Sequence, residues 1–227
     1  MIGSLGQPVL FLVALGFGFG PIYQKAGGGS YIQFLAPGII AMSVIFTAIF
    51  SGIEIIWDRK FGFLKETLVA PVSRLEIMIG RTMGGATVAT IQGIIVFGLA
   101  MIIGFRPMNL ALLFPAFLFI FLIALLFTAL GTAIASVLED MQGFQLIMNF
   151  LVMPLFFLSG ALFPLAGLPT GIKIISYLDP LSYGVDGLRG TLVGGAHFSL
   201  GLDFLVLGVL TLTLLMLGSF LFSRIEA

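Results

Sequence analysis

From Pro107 to Leu138 the chain carries no charged residue. A soluble helix must show water a polar face, so polar residues recur along its length. A helix crossing the hydrocarbon core of a bilayer instead needs about 20 mostly apolar residues, with a range of roughly 17 to 25. Cutting the 227-residue chain at its charges predicts six such spans, at about 7–23, 33–56, 83–105, 109–137, 143–163 and 204–223. Composition agrees: 59% of the residues are hydrophobic and 9% charged, against roughly 25% charged in a soluble domain. Residues 1–227 therefore read as one all-α integral membrane domain.

Several kinds of chemistry are excluded. The formal net charge is zero, which gives no reason to expect nucleic acid as a partner. Without cysteine there is no disulfide, thiolate nucleophile or sulfur-ligated metal. The single histidine, His197, stands alone in a loop, so no Ser-His-Asp arrangement forms, and no catalytic or metal-binding residue is expected. A membrane enzyme would need a cluster of His, Asp, Glu or Cys at one face, and an ion-coupled carrier a carboxylate pair deep in a span. The chain has no Gly-x-x-x-x-Gly-Lys-Ser/Thr, and its nearest glycine cluster, GRTMGG at 80–85, lacks the lysine. No cofactor is expected on this chain. The first apolar run has no basic residue before Lys25 and reads as a retained span, not a secretory signal.

The connections differ in kind. AGGGS at 26–30 is a turn, FRPMN at 105–109 a tight loop, and LEDMQG at 138–143 short and acidic. The long connection from Pro164 to Leu202 also holds Pro169 and Pro180, which no straight helix accommodates. Two short helices lying in or dipping into the interface are expected there. Orientation follows Lys and Arg in short loops. Arg59, Lys60, Lys65, Arg74, Arg81 and Arg224 share one side; Lys25, Arg106, Lys173 and Arg189 share the other. This predicts a multi-pass cell-membrane protein with both chain ends and residues 57–81 in the cytoplasm, and 164–202 outside.

The charged stretch WDRKFGFLKETLVAPVSRLEIMIGR, residues 57–81, interrupts the apolar pattern. Within it Phe61, Leu64 and Leu68 recur at helical spacing, and Phe63 and Val69 widen the stripe. A short amphipathic helix is expected, with Asp58 at its start, Gly62 at a bend and Pro71 at its end. Two readings follow: a solvated loop that sets topology, or a helix whose apolar face docks in a groove of another protein.

Other residues stand out. Glu54 lies near the end of the second span, where it either snorkels to water or meets Arg59 or Arg81. Gly80 with Gly84, Gly131 with Ala135, and Gly16 with Gly20 allow close helix approach, within one chain or between two. Phenylalanine is abundant, with 24 copies, some of which could line a path in the second and fifth spans. Pro154 and Pro164 in MPLFFLSGALFPL suggest a hinge or partial re-entrant turn. Asp186 and Arg189 are three residues apart and could pair on an outer helix.

DRKFGFLKETLVAPVSRLEIMIGR resembles the signature loop of the membrane subunits of type-2 ATP-binding-cassette exporters. The matching residues are Asp58, Arg59, Gly62, Leu64, Leu68, Pro71, Ser73 and Arg74. FLAPGIIAMSV at 34–44 resembles the start of that family's second span. LDPLSYGVDGLRG at 178–190 resembles its outer segment, with Pro180, Tyr183, Asp186 and Arg189 matching. The similarity runs from about residue 7 to 224, and the relatives that sound nearest are permeases of drug efflux and of lipid-linked-sugar export.

The resemblance implies a non-catalytic half-transporter of six helices, two of which, identical or related, form the pathway in membrane lipid. It implies a coupling helix at about 59–70, in which Asp58, Arg59, Phe61, Gly62, Leu64, Lys65, Leu68 and Pro71 serve a separate cytoplasmic P-loop ATPase. ATP and Mg would be held by that partner. An apolar or amphipathic cargo, drug-like, lipid or lipid-linked sugar, would move outward. The family usually carries an amphipathic helix before the first span; this sequence starts at the span, which leaves part of the ATPase contact open. An ATP-independent channel or structural membrane protein is the alternative, and it leaves the docking helix without a purpose.

Overall fold

The structure, a computed structural model, describes residues 2–25, 29–64, 69, 71–165 and 169–223. Every regular element among them is helical: α1 (Ile2–Lys25), α2 (Tyr31–Phe50), α3 (Ile53–Phe61), α4 (Arg74–Ile103), α5 (Leu113–Val137), α6 (Met141–Leu158), α7 (Thr170–Leu178), α8 (Pro180–Leu192) and α9 (Leu200–Phe222). Six helical stretches among the described residues are long and apolar enough to cross a bilayer, with α2 and α3 together forming one. Two ends result. The basic end carries the α3–α4 connection and the α5–α6 loop; the far end carries α7, α8 and the α1–α2 and α4–α5 connections.

Local sequence explains where the helices start. Ser73 accepts from the Glu76 amide at 3.2 Å while Glu76 accepts from the Ser73 amide at 2.7 Å, a reciprocal cap on α4. Asp140 caps α6 through the Gly143 amide at 2.6 Å, and Asp179 caps α8 through the Leu181 amide at 2.8 Å, with Pro180 in the first turn.

α2 is the axis of the bundle. From Leu35 to Ile45 every residue is buried, against α1, α4, α5, α6 and α8. Near the basic end its backbone meets α5 with no side chain between: a Cβ on Gly52 would lie 2.4 Å from the Gly131 carbonyl oxygen, and one on Gly131 would lie 2.2 Å from that of Ile49. Small residues permit this approach where lipid offers no competing drive for burial. Gly131 thus serves packing within the chain. Gly80 and Gly84 face open space.

The second span is longer than its apolar run. The sequence ends it near residue 56, but the helix continues to Phe61 because Asp58, Arg59 and Lys60 sit in its last turn, where water and ion partners are within reach. It stops at Gly62, whose φ of +81° is left-handed and suits glycine. Asp58 therefore lies inside a helical last turn, not at the start of a new helix. After α6 the chain turns at Ser159–Gly160, and Ala161 and Leu162 run back into the bundle, where the Tyr31 hydroxyl donates to the Leu162 carbonyl at 3.2 Å. Of the two short far-end helices, α7 exposes Ile174, Ile175 and Leu178, but α8 is largely buried against α2, α5 and α9.

Candidate functional site

Two consecutive residues in the last turn of α3 reach in different directions. Asp58 forms an ion pair with Arg81 of α4. Arg59 turns to α5: its Nη2 donates to the Ser136 carbonyl at 2.8 Å and its Nη1 to the Leu138 carbonyl at 3.3 Å, with Glu139 at 3.9 Å. The last carbonyls of a helix have no partner within it and form the negative end of its dipole. A guanidinium, planar and permanently charged, suits that position. The end of α3 is therefore clamped to both α4 and α5. The resemblance gives both residues a coupling role; the structure bonds each of them to a neighbouring helix.

Beyond the clamp the surface is aromatic. Trp57 stacks on Phe61 with centroids 5.2 Å apart, and Phe61, Phe63, Val69 and Val72 are exposed. Leu64 is buried. Phe61 and Leu64 do not share the single apolar face that their spacing predicts, because Gly62 breaks the helical phase between them. Lys65 and Leu68 lie outside the described residues, as do the other residues of 65–68 and residue 70 within the expected helix at 59–70. Pro71 is exposed just ahead of the α4 cap. A groove of about 610 Å³ lies beside this surface, lined by Arg59, Lys60 and the loop residues Glu139 and Asp140. The sequence marks that loop only as short and acidic, without a part in the site.

Glu54 pairs with neither Arg59 nor Arg81, and has no ion pair among the described residues. It is exposed to a cleft between α1, α2–α3 and α4.

At the far end, Asp186 and Arg189 do not bond to each other. Asp186 is buried and accepts from the amides of His197, at 2.8 and 2.9 Å, and Phe198, at 2.7 Å, pinning the α8–α9 loop. Arg189 donates to the Gly160 carbonyl at 3.0 Å and lies 4.1 Å over the Phe34 ring. Burial lowers the Arg189 pKa to about 10, against the opposing pull of Asp186. Tyr183 donates to the Tyr177 carbonyl at 2.8 Å and stacks on Phe198. Burial pushes Asp179 up to about 7, although its bond from the Leu181 amide favours the charged form. Pro180 opens α8. The outer-segment residues hold the far end together; the value of Asp186 and Arg189 comes from burial and not from a surface pair. Asp203, which the sequence marks only as a span boundary, is buried with neither carboxylate oxygen partnered among the described residues.

No group of three or more His, Cys, Asp or Glu among the described residues could hold a metal ion. The site consists of a clamp, an exposed aromatic surface and a polar cleft behind it.

Known proteins match this chain along most of its length. The family model described as ABC-2 type transporter matches residues 1–193. A protein of Cyanophora paradoxa named as a transport permease is 31% identical over 196 residues, covering 83% of this chain and 66% of that protein. Nodulation protein J of Rhizobium leguminosarum bv. viciae is 31% identical over 196 residues, covering 86% of this chain and 75% of its own length. Nodulation protein J of Rhizobium meliloti is 27% identical over 205 residues, covering 89% and 77%. The chain thus spans about two thirds to three quarters of the length of these relatives. With six helices fit to cross a bilayer and a match over residues 1–193, the chain belongs to the ABC-2 type transporter membrane family.

Proposed function

We propose that this chain is the permease subunit of an ATP-driven exporter, paired with a second permease chain and driven by a separate P-loop ATPase. The basic end faces the cytoplasm, and the exposed surface around Phe61 and Phe63 docks the ATPase. The cargo is apolar or amphipathic and moves outward. The observation that carries this reading is the double clamp on α3. A force applied at Phe61 passes through Asp58 to α4 and through Arg59 to α5. A loop that only set topology would need no rigid tie to two spans.

ATP and Mg belong to the partner, since this chain lacks the phosphate-cradling glycine motif. The test is a pull-down from native membranes in mild detergent, comparing wild type with a Phe61→Ser/Phe63→Ser variant. Both rings are exposed, so the variant keeps the fold. An ATPase captured by wild type and lost by the variant is the expected result. Folded, abundant protein that captures no ATPase in either form would reject the reading.

A further inference from the structure

We propose that the cleft between α1, α2–α3 and α4, at the basic end, binds the head of an amphipathic organic cation, with Glu54 as its counter-charge. The claim that this molecule is cargo rests on the exporter reading; the binding site does not.

Ser43, Thr47, Ser51 and Glu54 follow one another at helical spacing along α2–α3, a polar stripe on an otherwise apolar span. Such a stripe is unfavourable toward lipid, and polar residues inside membrane helices mark interior cavities and ligand pathways. The stripe lines a cavity of about 470 Å³ that reaches Gln7 of α1 and Gln92 of α4. A second cavity of about 590 Å³ shares Ser51, Glu54 and Val88 with it and continues past Gly80 and Gly84. The first is within the size range of small-molecule sites.

The chemistry of the lining selects the ligand. The hydroxyls of Ser43, Thr47 and Ser51 spend their protons on their own helix, on the carbonyls of Ile40 at 2.8 Å, Ser43 at 2.9 Å and Ala48 at 2.6 Å. What they offer the cleft is acceptor lone pairs. Glu54 is the single charged residue among the described residues lining the 470 Å³ cavity. The basic residues nearby are engaged: Arg81, which lines the adjoining cavity, with Asp58, and Arg59 with the end of α5. The site is therefore anionic and rich in acceptors. Phe46 and Phe50, with centroids 6.3 Å apart and planes 4° from parallel, supply an aromatic wall suited to a flat apolar body or a cation.

A buried donor balances the acceptors. Gln92 is 1% exposed and its Nε2 has no partner among the described residues. A buried amide left unpaired is rare and unfavourable, and rotation of the side chain toward the cleft would let a ligand oxygen satisfy it. An anionic head, such as a phosphate, would meet Glu54 with no free cation beside it among the described residues.

The test uses the whole chain in nanodiscs of phosphatidylcholine, without ATPase or nucleotide. Rhodamine 6G, a flat amphipathic cation bearing N–H donors, is titrated by fluorescence anisotropy beside an anionic fluorescein ester of similar size. Wild type is expected to bind the cation at least tenfold more tightly than the anion. Glu54→Gln should weaken cation binding about tenfold, Glu54→Asp should retain most of it, and Gln92→Leu should weaken it several-fold, all with unchanged helical circular dichroism. Should Glu54→Gln misfold, Thr47→Met, which narrows the cleft and keeps the charge, must still reduce affinity. No cation binding by wild type, equal affinity in Glu54→Gln, or preference for the anion would overturn the site. None of these outcomes bears on the ATPase pull-down, so the two readings fail separately.

Discussion

The Nη2 of Arg59 lies 2.8 Å from the carbonyl oxygen of Ser136, across a sequence separation of 77 residues. It joins the last turn of the second span to the end of the fourth. Arg59, to which the family resemblance gives a coupling role, is thereby also a structural tie between two spans.

Removing that tie should cost stability and coupling together. Arg59→Ala uncaps the end of α5, and a cation at a helix C-terminus contributes up to about 2 kcal/mol in partly buried geometry. A lower thermal midpoint in detergent micelles is expected, with Arg59→Lys intermediate because a point charge cannot bridge two carbonyls. In the assembled transporter, Arg59→Ala should keep ATPase binding yet reduce transport per ATP hydrolysed.

The Asp58–Arg81 pair is worth a double-mutant cycle. Its side chains are 25% and 24% exposed, so water screens it only in part. Asp58→Asn, Arg81→Gln and the double variant should reveal a coupling of about 1 kcal/mol, near the upper bound for solvated pairs. A coupling near zero would show that α3 is held to α4 by packing alone.

Backbone contact at the α2–α5 crossing makes a sharp steric prediction. Gly52→Ala and Gly131→Ala place a methyl group against carbonyl oxygens that cannot retreat, and should cost about 3 kcal/mol or more. Gly80→Ala and Gly84→Ala meet open space and should be nearly silent. Yield of monodisperse protein after detergent extraction separates the two pairs.

Asp179 gives the far end a pH dependence. Its folded pKa, raised to about 7 by burial, exceeds the ordinary value of 3.8. Between these values the folded state holds a proton that the unfolded state has lost, so stability falls as pH rises from about 4 to 7 and levels off above. Asp179→Asn keeps the cap on α8 and should flatten this part of the profile, read from thermal midpoints across that window.

Six spans, their order and the charged segment between the second and third were legible in one dimension. The cost of placing charge in hydrocarbon arises locally, residue by residue, so charges mark the ends of the apolar runs although the helices continue past them. The short helices between Pro164 and Leu202 were legible for a similar local reason, since proline is favoured at the start of a helix, where Pro169 and Pro180 stand, and disfavoured in its interior. Gly62 could be seen to interrupt the segment, but not the consequence, that Phe61 faces out while Leu64 faces in.

Tertiary structure decided what the charged and polar residues touch. Asp58 chose Arg81, Arg59 chose the end of α5, Asp186 chose two loop amides over Arg189, and Glu54 was left facing a cleft. Each choice depends on which carbonyl, amide or charge the packing of other helices brings within about 3 Å. The sequence by itself determined that six apolar stretches are long enough to cross a membrane and that a charged segment separates the second from the third. Only the bundle decided which charges are ties and which remain available, because helix crossings such as Gly52 on Gly131 set those distances, and they join residues far apart along the chain.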